Sequence, residues 1–209
     1  MSPVPADERR LQIITAAVEV ITRAGAAKTT TRRVAAAADA PLASLHYIFK
    51  NKEELFTAVI EYILDLVDEE LERHLESEDG LDAAVRALFD LNYDWCRKEP
   101  EFHIAEYELF IWALRTPSSS AFGRRIYERW FDVVGRVLAE SAAGDDAWPP
   151  ARIETLTRDV IASLDGMLLQ MIAFGDNGPT REDARRYADA ALASLRGTSG
   201  DGVAGPSSD

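Results

Sequence analysis

Three observations in the sequence predict an all-α chain of about nine helices. Apolar residues recur at helical spacing almost throughout, and no strand-like alternation runs over a useful length. Between Thr29 and Leu55, two short helical patterns are joined by a tight turn and followed at once by a third helix start. Beyond residue 60, Gly and Pro breakers divide the chain into further helix-length segments.

The first helix is expected from about Asp7 to Ala24, with Leu11, Ile14, Val18 and Ile21 as its apolar stripe, Asp7 at its start and Gly25 as its stop. The second covers Thr31–Ala38 behind a Thr29 or Thr30 cap. It ends at Asp39-Ala40-Pro41, because Pro41 has no N–H to continue a helix and pushes Ala40 out of the α region. The third, Leu42–Phe49, puts Leu45 and Phe49 on one apolar face. The fourth starts near Asn51, whose side chain suits the cap, and runs to about His74, near 35 Å by helix rise. After the breaker Ser77–Gly80, helices are expected at about Leu81–Lys98, Glu101–Leu114, Ser119–Ala142, Ala151–Gly175 and Arg181–Arg196. The Gly- and Ser-rich tail Gly197–Asp209 reads as disordered.

Two short helices across a tight turn make a helix-turn-helix, whose second helix is shaped for a DNA major groove. Its outward residues would be Leu42, Ala43, Ser44, His46 and Tyr47. With no Arg, Asn or Gln among them, the expected contacts are hydrogen bonds from Ser44 and His46, a Tyr47 contact to phosphate, and apolar touches from Leu42 or Ala43 to thymine methyls. Thr30, Arg32, Arg33 and Lys52 sit where phosphates are expected, and Arg9 and Arg10 are candidates for a flanking groove.

The net charge of −13 argues at first against a nucleic-acid partner. Its distribution argues the other way. Residues 1–52 carry eight Arg and Lys against four acids, a net +4, which leaves −17 on the remainder. Phosphate affinity comes from local cations, and an acidic body keeps the rest of the molecule off the duplex.

Thr29-Thr30, Val34-Ala35, Ala38, Leu45-His46-Tyr47-Ile48-Phe49 and Asn51-Lys52-Glu53-Glu54-Leu55 stand at offsets that resemble the DNA-binding domain of the tetracycline-repressor (TetR) family. The resemblance covers roughly residues 8–60. It implies that Tyr47 and Lys52 contact DNA, that 1–52 forms the DNA-binding domain, and that 53–196 is a helical domain for effector binding and dimerisation. Three positions depart from the family pattern: Asp39 where Gly is usual, Pro41 in place of Ser, and His46 in place of Tyr.

The resemblance further implies a homodimer through the last two helices, with two heads about one DNA turn (~34 Å) apart on a pseudo-palindromic site. Ile153, Leu156, Val160, Leu164, Leu168, Met171 and Ile172 on the eighth helix, and Ala184, Tyr187, Ala188, Ala191, Leu192 and Leu195 on the ninth, are the expected surface. Ordinary core packing is the competing reading of those stripes. Helices five to eight are rich in aromatics, as a mostly apolar effector cavity requires. Asn92, His103, Tyr107 and Gln170 are its candidate polar members, with Trp95, Phe110, Met167 and Met171 as walls. The expected function is a repressor released from its operator by a small apolar or aromatic effector. A ligand-independent repressor and a helical protein-binding adaptor are the alternatives.

An enzyme is not expected. His46, His74 and His103 lie far apart, and the chain carries no metal-ligand spacing, no phosphate-cradling Gly loop and no nucleophile elbow. No cofactor is implied. The lone Cys96, the charged start and the lack of a long apolar run are expected of a cytoplasmic chain without a membrane span.

Overall fold

The computed structural model describes residues 5–75, 80–116 and 120–196, excepting the side chains of 72, 74, 75, 120–122, 195 and 196. The predicted tail Gly197–Asp209, most of the breaker at Ser77–Gly80, and the side chains of Phe122 and Leu195 lie outside the described residues.

Among those residues the chain is all-helical: α1 (Ala6–Ala24), α2 (Thr31–Ala37), α3 (Leu42–Ile48), α4 (Lys52–Leu75), α5 (Leu81–Lys98), α6 (Pro100–Arg115), α7 (Ser120–Ser141), α8 (Pro150–Phe174) and α9 (Arg181–Arg196), with a 3₁₀ turn at Gly175–Asn177. No described helix is long and apolar enough to cross a membrane.

The boundaries follow local chemistry. Gly25 ends α1 at φ +82, its N–H bonded to the Ile21 carbonyl at 2.7 Å. Thr30 caps α2 by accepting the Arg33 N–H at 3.3 Å. At the other end of α2 the Ala40 N–H closes back onto the Ala35 carbonyl at 2.9 Å, which puts Asp39 in the left-handed region at φ +46. At the start of α4, Asn51 Oδ1 accepts the Glu54 N–H at 2.8 Å, and the Glu54 carboxylate accepts the Lys50 N–H at 2.9 Å. This reciprocal cap fixes the chain between α3 and α4.

The described residues group into two compact units. One takes the chain up to Leu71 together with Lys98–Trp130; the other takes Glu72–Arg97 and the residues from Phe131 on. The expected division at residue 52 differs from this grouping, in which α6 and the start of α7 cluster with the helix-turn-helix head. In the first unit, Ile13, Ala17 and Ile21 of α1 and Val34 of α2 are buried with Leu45, Phe49, Leu55 and Val59. Leu11, counted in the predicted stripe of α1, is 49% exposed, and Ile13 and Ala17 take its place. Arg129 of α7 holds Asp65 and Asp68 of α4 at 3.0 and 2.5 Å.

In the second unit α8 packs on α9. Here the predicted dimer surface needs correction. Ile153, Leu156, Val160, Leu164, Leu168 and Met171 are buried within the chain itself, as are Ala184, Ala188, Ala191 and Leu192; Ile172 and Tyr187 are half-buried. These stripes are the unit's own core. The outward side of α8 carries instead Ala162, Gly166, Leu169 and Ala173, with Leu169 50% exposed.

Candidate nucleic-acid interface

The turn at Asp39 and the proline at the entry of α3 aim one side of a two-turn helix outward. Leu45 and Phe49 are fully buried and lock α3 onto the head, and among the described residues its opposite side is left open. Tyr47 is 89% exposed, with His46 and Ala43 also exposed and Leu42 and Ser44 half-buried. All five expected base-edge residues therefore lie on or beside the open face.

The expected phosphate residues divide. Arg32 is exposed. Arg33 is partly engaged, its Nη1 donating to the Lys28 carbonyl at 3.0 Å, and the Thr30 hydroxyl caps α2. Arg10 lies with its guanidinium carbon 5.1 Å from the centroid of the Phe49 ring, which anchors α1 against the end of α3. Lys52 has an intramolecular task. Its Nζ donates to the Ala26 carbonyl at 3.0 Å and lies 4.6 Å from the centroid of the Phe56 ring, and burial there pulls its pKa below the usual lysine value. Sequence reasoning missed Glu108 of α6, whose Oε2 accepts the Ala26 N–H at 2.6 Å. No local pattern signals a bond across 82 positions.

The expected effector residues fall in both units. In the first, His103 is 2% exposed with Nδ1 3.3 Å from Glu106 Oε2, and its ring lies edge-on to Phe102 at 5.7 Å. One turn further along α6 Tyr107 is half-buried, and the Phe110 ring meets Tyr127 of α7 edge-on at 5.1 Å. In the second unit Asn92 is buried and donates to the Leu88 carbonyl at 2.8 Å, while Trp95 is half-buried. Met167 and Met171 are core residues, 1% and 5% exposed. Gln170 is parted from those two: it faces outward and lines an open surface cavity of about 300 Å³ with Phe174, Asn177, Gly178, Pro179, Asp183 and Tyr187.

Two family models match the chain. Residues 13–59 match the bacterial regulatory proteins of the tetR family, and residues 79–195 match the tetracyclin repressor-like C-terminal domain. The nicotine-responsive transcriptional repressor HdnoR of Paenarthrobacter nicotinovorans is 29% identical over 166 residues, 79% of this chain and 84% of that protein. Among solved structures, the multidrug binding protein EbrR in complex with ethidium is 29% identical with a TM-score of 0.69, covering 88% of this chain and 98% of its own. A TetR-family member from Streptomyces coelicolor A3 is 30% identical with a TM-score of 0.66, again over 88% of this chain and 98% of its own.

Proposed function

This chain belongs to the TetR family of bacterial transcriptional regulators, and from that premise we propose that it is a homodimeric repressor released from a pseudo-palindromic operator by an aromatic, nitrogen-containing effector. The outer side of α3 carries the reading, with Tyr47 89% exposed beside His46 and Ala43 on the +4 head of a −13 chain. In this scheme Ser44, His46 and Tyr47 touch bases and phosphates, and Leu42 and Ala43 meet thymine methyls. Thr30, Arg32 and Arg33 grip phosphates. Lys52 serves the grip from behind by holding the Ala26 carbonyl.

The dimer reading now rests on a different face. Gly166 lies mid-helix, where glycine costs about 1 kcal/mol relative to alanine. Among the described residues an added Cβ there would meet nothing within 4 Å, so no described contact within the chain accounts for it. Close approach by the same helix of a second copy would. Ala162, Leu169 and Ala173 flank Gly166 on the same side of α8, and the exposed Ala190 and Ala193 extend it on α9. Small residues permit the near contact, and the half-exposed Leu169 supplies the apolar area.

Two observations support the effector class. The relatives respond to nicotine or bind ethidium, both aromatic nitrogen compounds. The −17 outside the head favours a cation electrostatically, and His103, Tyr107 and Phe110 of α6 supply ring faces. A hundredfold loss of operator affinity requires about 2.7 kcal/mol of negative coupling between effector and DNA. Selection of genomic duplexes by the purified protein, followed by titration of the best duplex with nicotine, ethidium and a panel of aromatic amines, tests the reading. Loss of affinity with at least one supports it; unchanged affinity across the panel leaves a ligand-independent repressor, and no retained duplex overturns it.

A further inference from the structure

The backbone of Ala26, in the short link between α1 and α2, is held from both sides. Its N–H donates to Glu108 Oε2 of α6 at 2.6 Å, and its carbonyl accepts from Lys52 Nζ of α4 at 3.0 Å. Gly25 makes the approach possible. At φ +82 it takes a conformation L side chains rarely adopt, and a Cβ there would lie 3.0 Å from Glu108 Oε2 and 3.2 Å from Oε1. Behind the link the same two helices meet again, with Phe56 of α4 edge-on to Trp112 of α6 at 4.9 Å. Lys52 and Phe56 are one turn apart on α4, as are Glu108 and Trp112 on α6, so one ring contact between the helices braces a pair of backbone bonds.

We propose that Glu108 is a positioning residue for the DNA grip: by holding the Ala26 peptide it fixes the link that carries Lys28, Thr30 and Arg33. The proposal rests on the reading that the head binds duplex DNA. A chain of bonds passes the position of Gly25–Ala26 along the link. The Thr29 hydroxyl donates to the Gly25 carbonyl at 2.9 Å, Arg33 Nη1 donates to the Lys28 carbonyl at 3.0 Å, and Thr30 Oγ1 accepts the Arg33 N–H at 3.3 Å. Release of Ala26 therefore loosens two candidate phosphate groups, Thr30 and Arg33, at once. A carboxylate is suited to this task because a charge-assisted bond to an N–H is roughly twice as strong as a neutral one.

The sign of the effect separates positioning from bulk electrostatics. Taken only as a negative charge near phosphates, Glu108 opposes binding, and its removal should tighten it. Positioning requires the reverse. The full-length protein, its Glu108→Ala variant and its Glu108→Gln variant are compared by fluorescence anisotropy on one duplex selected by the wild type. Amide exchange at ¹⁵N-labelled Ala26 is measured without DNA. The Ala variant should bind about tenfold more weakly, equivalent to about 1.4 kcal/mol, and its Ala26 amide should exchange on the order of tenfold faster. The Gln variant, whose amide oxygen still accepts, should fall between the two and keeps the test open should the Ala variant fold poorly. The salt slope should not change, because the cations that meet phosphate are all still present. Tighter or unchanged binding by the variants, or unaltered Ala26 exchange, overturns the proposal. If the wild type binds no duplex, the DNA reading fails and takes the positioning role with it, while Ala26 exchange still reports on the bond itself.

Discussion

Arg181 Nη1 of α9 lies 2.9 Å from Asp90 Oδ1 of α5, at the middle of an antiparallel charge ladder. Arg86 pairs with Asp189 at 2.8 Å, Asp90 also meets Arg185 at 3.6 Å, Asp94 pairs with Arg181, and Arg97 closes the row on Asp176 at 2.8 Å. The α5 members step by three or four positions, so one side of that helix faces an opposed side of α9. Arg181 also lies 5.0 Å from the centroid of the Tyr93 ring. Exposed pairs contribute about 0.2–1 kcal/mol each. Arg181→Ala, which removes two pairs and the ring contact, should therefore lower stability by about 1 kcal/mol. Thermal melts should show the deficit at low salt and a smaller one at high salt; an equal deficit at both would assign it to packing.

Acid should loosen the start of α9. Asp183 accepts from the Thr180 N–H and hydroxyl, both at 2.8 Å, and its own N–H donates to Thr180 Oγ1 at 3.2 Å. The Thr180 N–H and hydroxyl, and then Arg186, hold its carboxyl below the ordinary aspartate value of 3.8. A pKa lowered on folding contributes stability that is present above the unfolded value and lost as pH falls through the folded one. Asp183→Asn should therefore lower the melting temperature at pH 7 and flatten its decline below about pH 4. Parallel melting-temperature curves for the two proteins would contradict this.

Gly166 and Leu169 set the proposed dimer face apart from the core. Leu169→Arg should shift sedimentation at micromolar concentration from dimer to monomer without a large change in monomer stability, since Leu169 is 50% exposed. Gly166→Ala should stabilise the isolated helix by about 1 kcal/mol yet weaken association, because on the proposed face the methyl would stand between two copies. Unchanged sedimentation of both variants would remove α8 from the interface.

Tyr47 and Leu45 stand two residues apart with opposite duties. Tyr47→Ala should leave the melting temperature nearly unchanged and weaken duplex binding, because a side chain 89% exposed buries little apolar area. Leu45→Ala empties a fully buried position and should cost about 2–5 kcal/mol of stability. Binding titrations and melts on both variants should show this crossed pattern; a destabilised Tyr47→Ala would argue that the open side of α3 is not free.

Much of this fold was legible because local chemistry sets helix ends. Predicted α5 and α9 agree with the structure to the residue, and Thr30 and Asn51 cap as their side chains suggest. Side-chain stripes were less legible. On α1 the predicted stripe holds in part: Ile14 and Ile21 are buried, while Leu11 stays exposed and Ile13 and Ala17 join the core on the side where α2 packs. On α8 the stripe attributed to a partner is the chain's own core, since apolar width alone does not tell a neighbour within the chain from one outside it. Of the candidate site, the outward side of α3 followed from Leu45 and Phe49. The hold of Glu108 and Lys52 on Ala26 did not, because bonds across 82 and 26 positions leave no local trace.

The grip of the basic head on phosphate can be read from the salt dependence of duplex binding. A basic head that grips phosphates releases counterions, so log affinity should fall linearly with log salt at about −0.9 per phosphate neutralised. For a selected duplex the slope should be steeper than about −4, and replacing Arg32 by Ala, which frees one phosphate, should make it shallower by about one. A flat salt response, or a slope unmoved by Arg32→Ala, would contradict that grip.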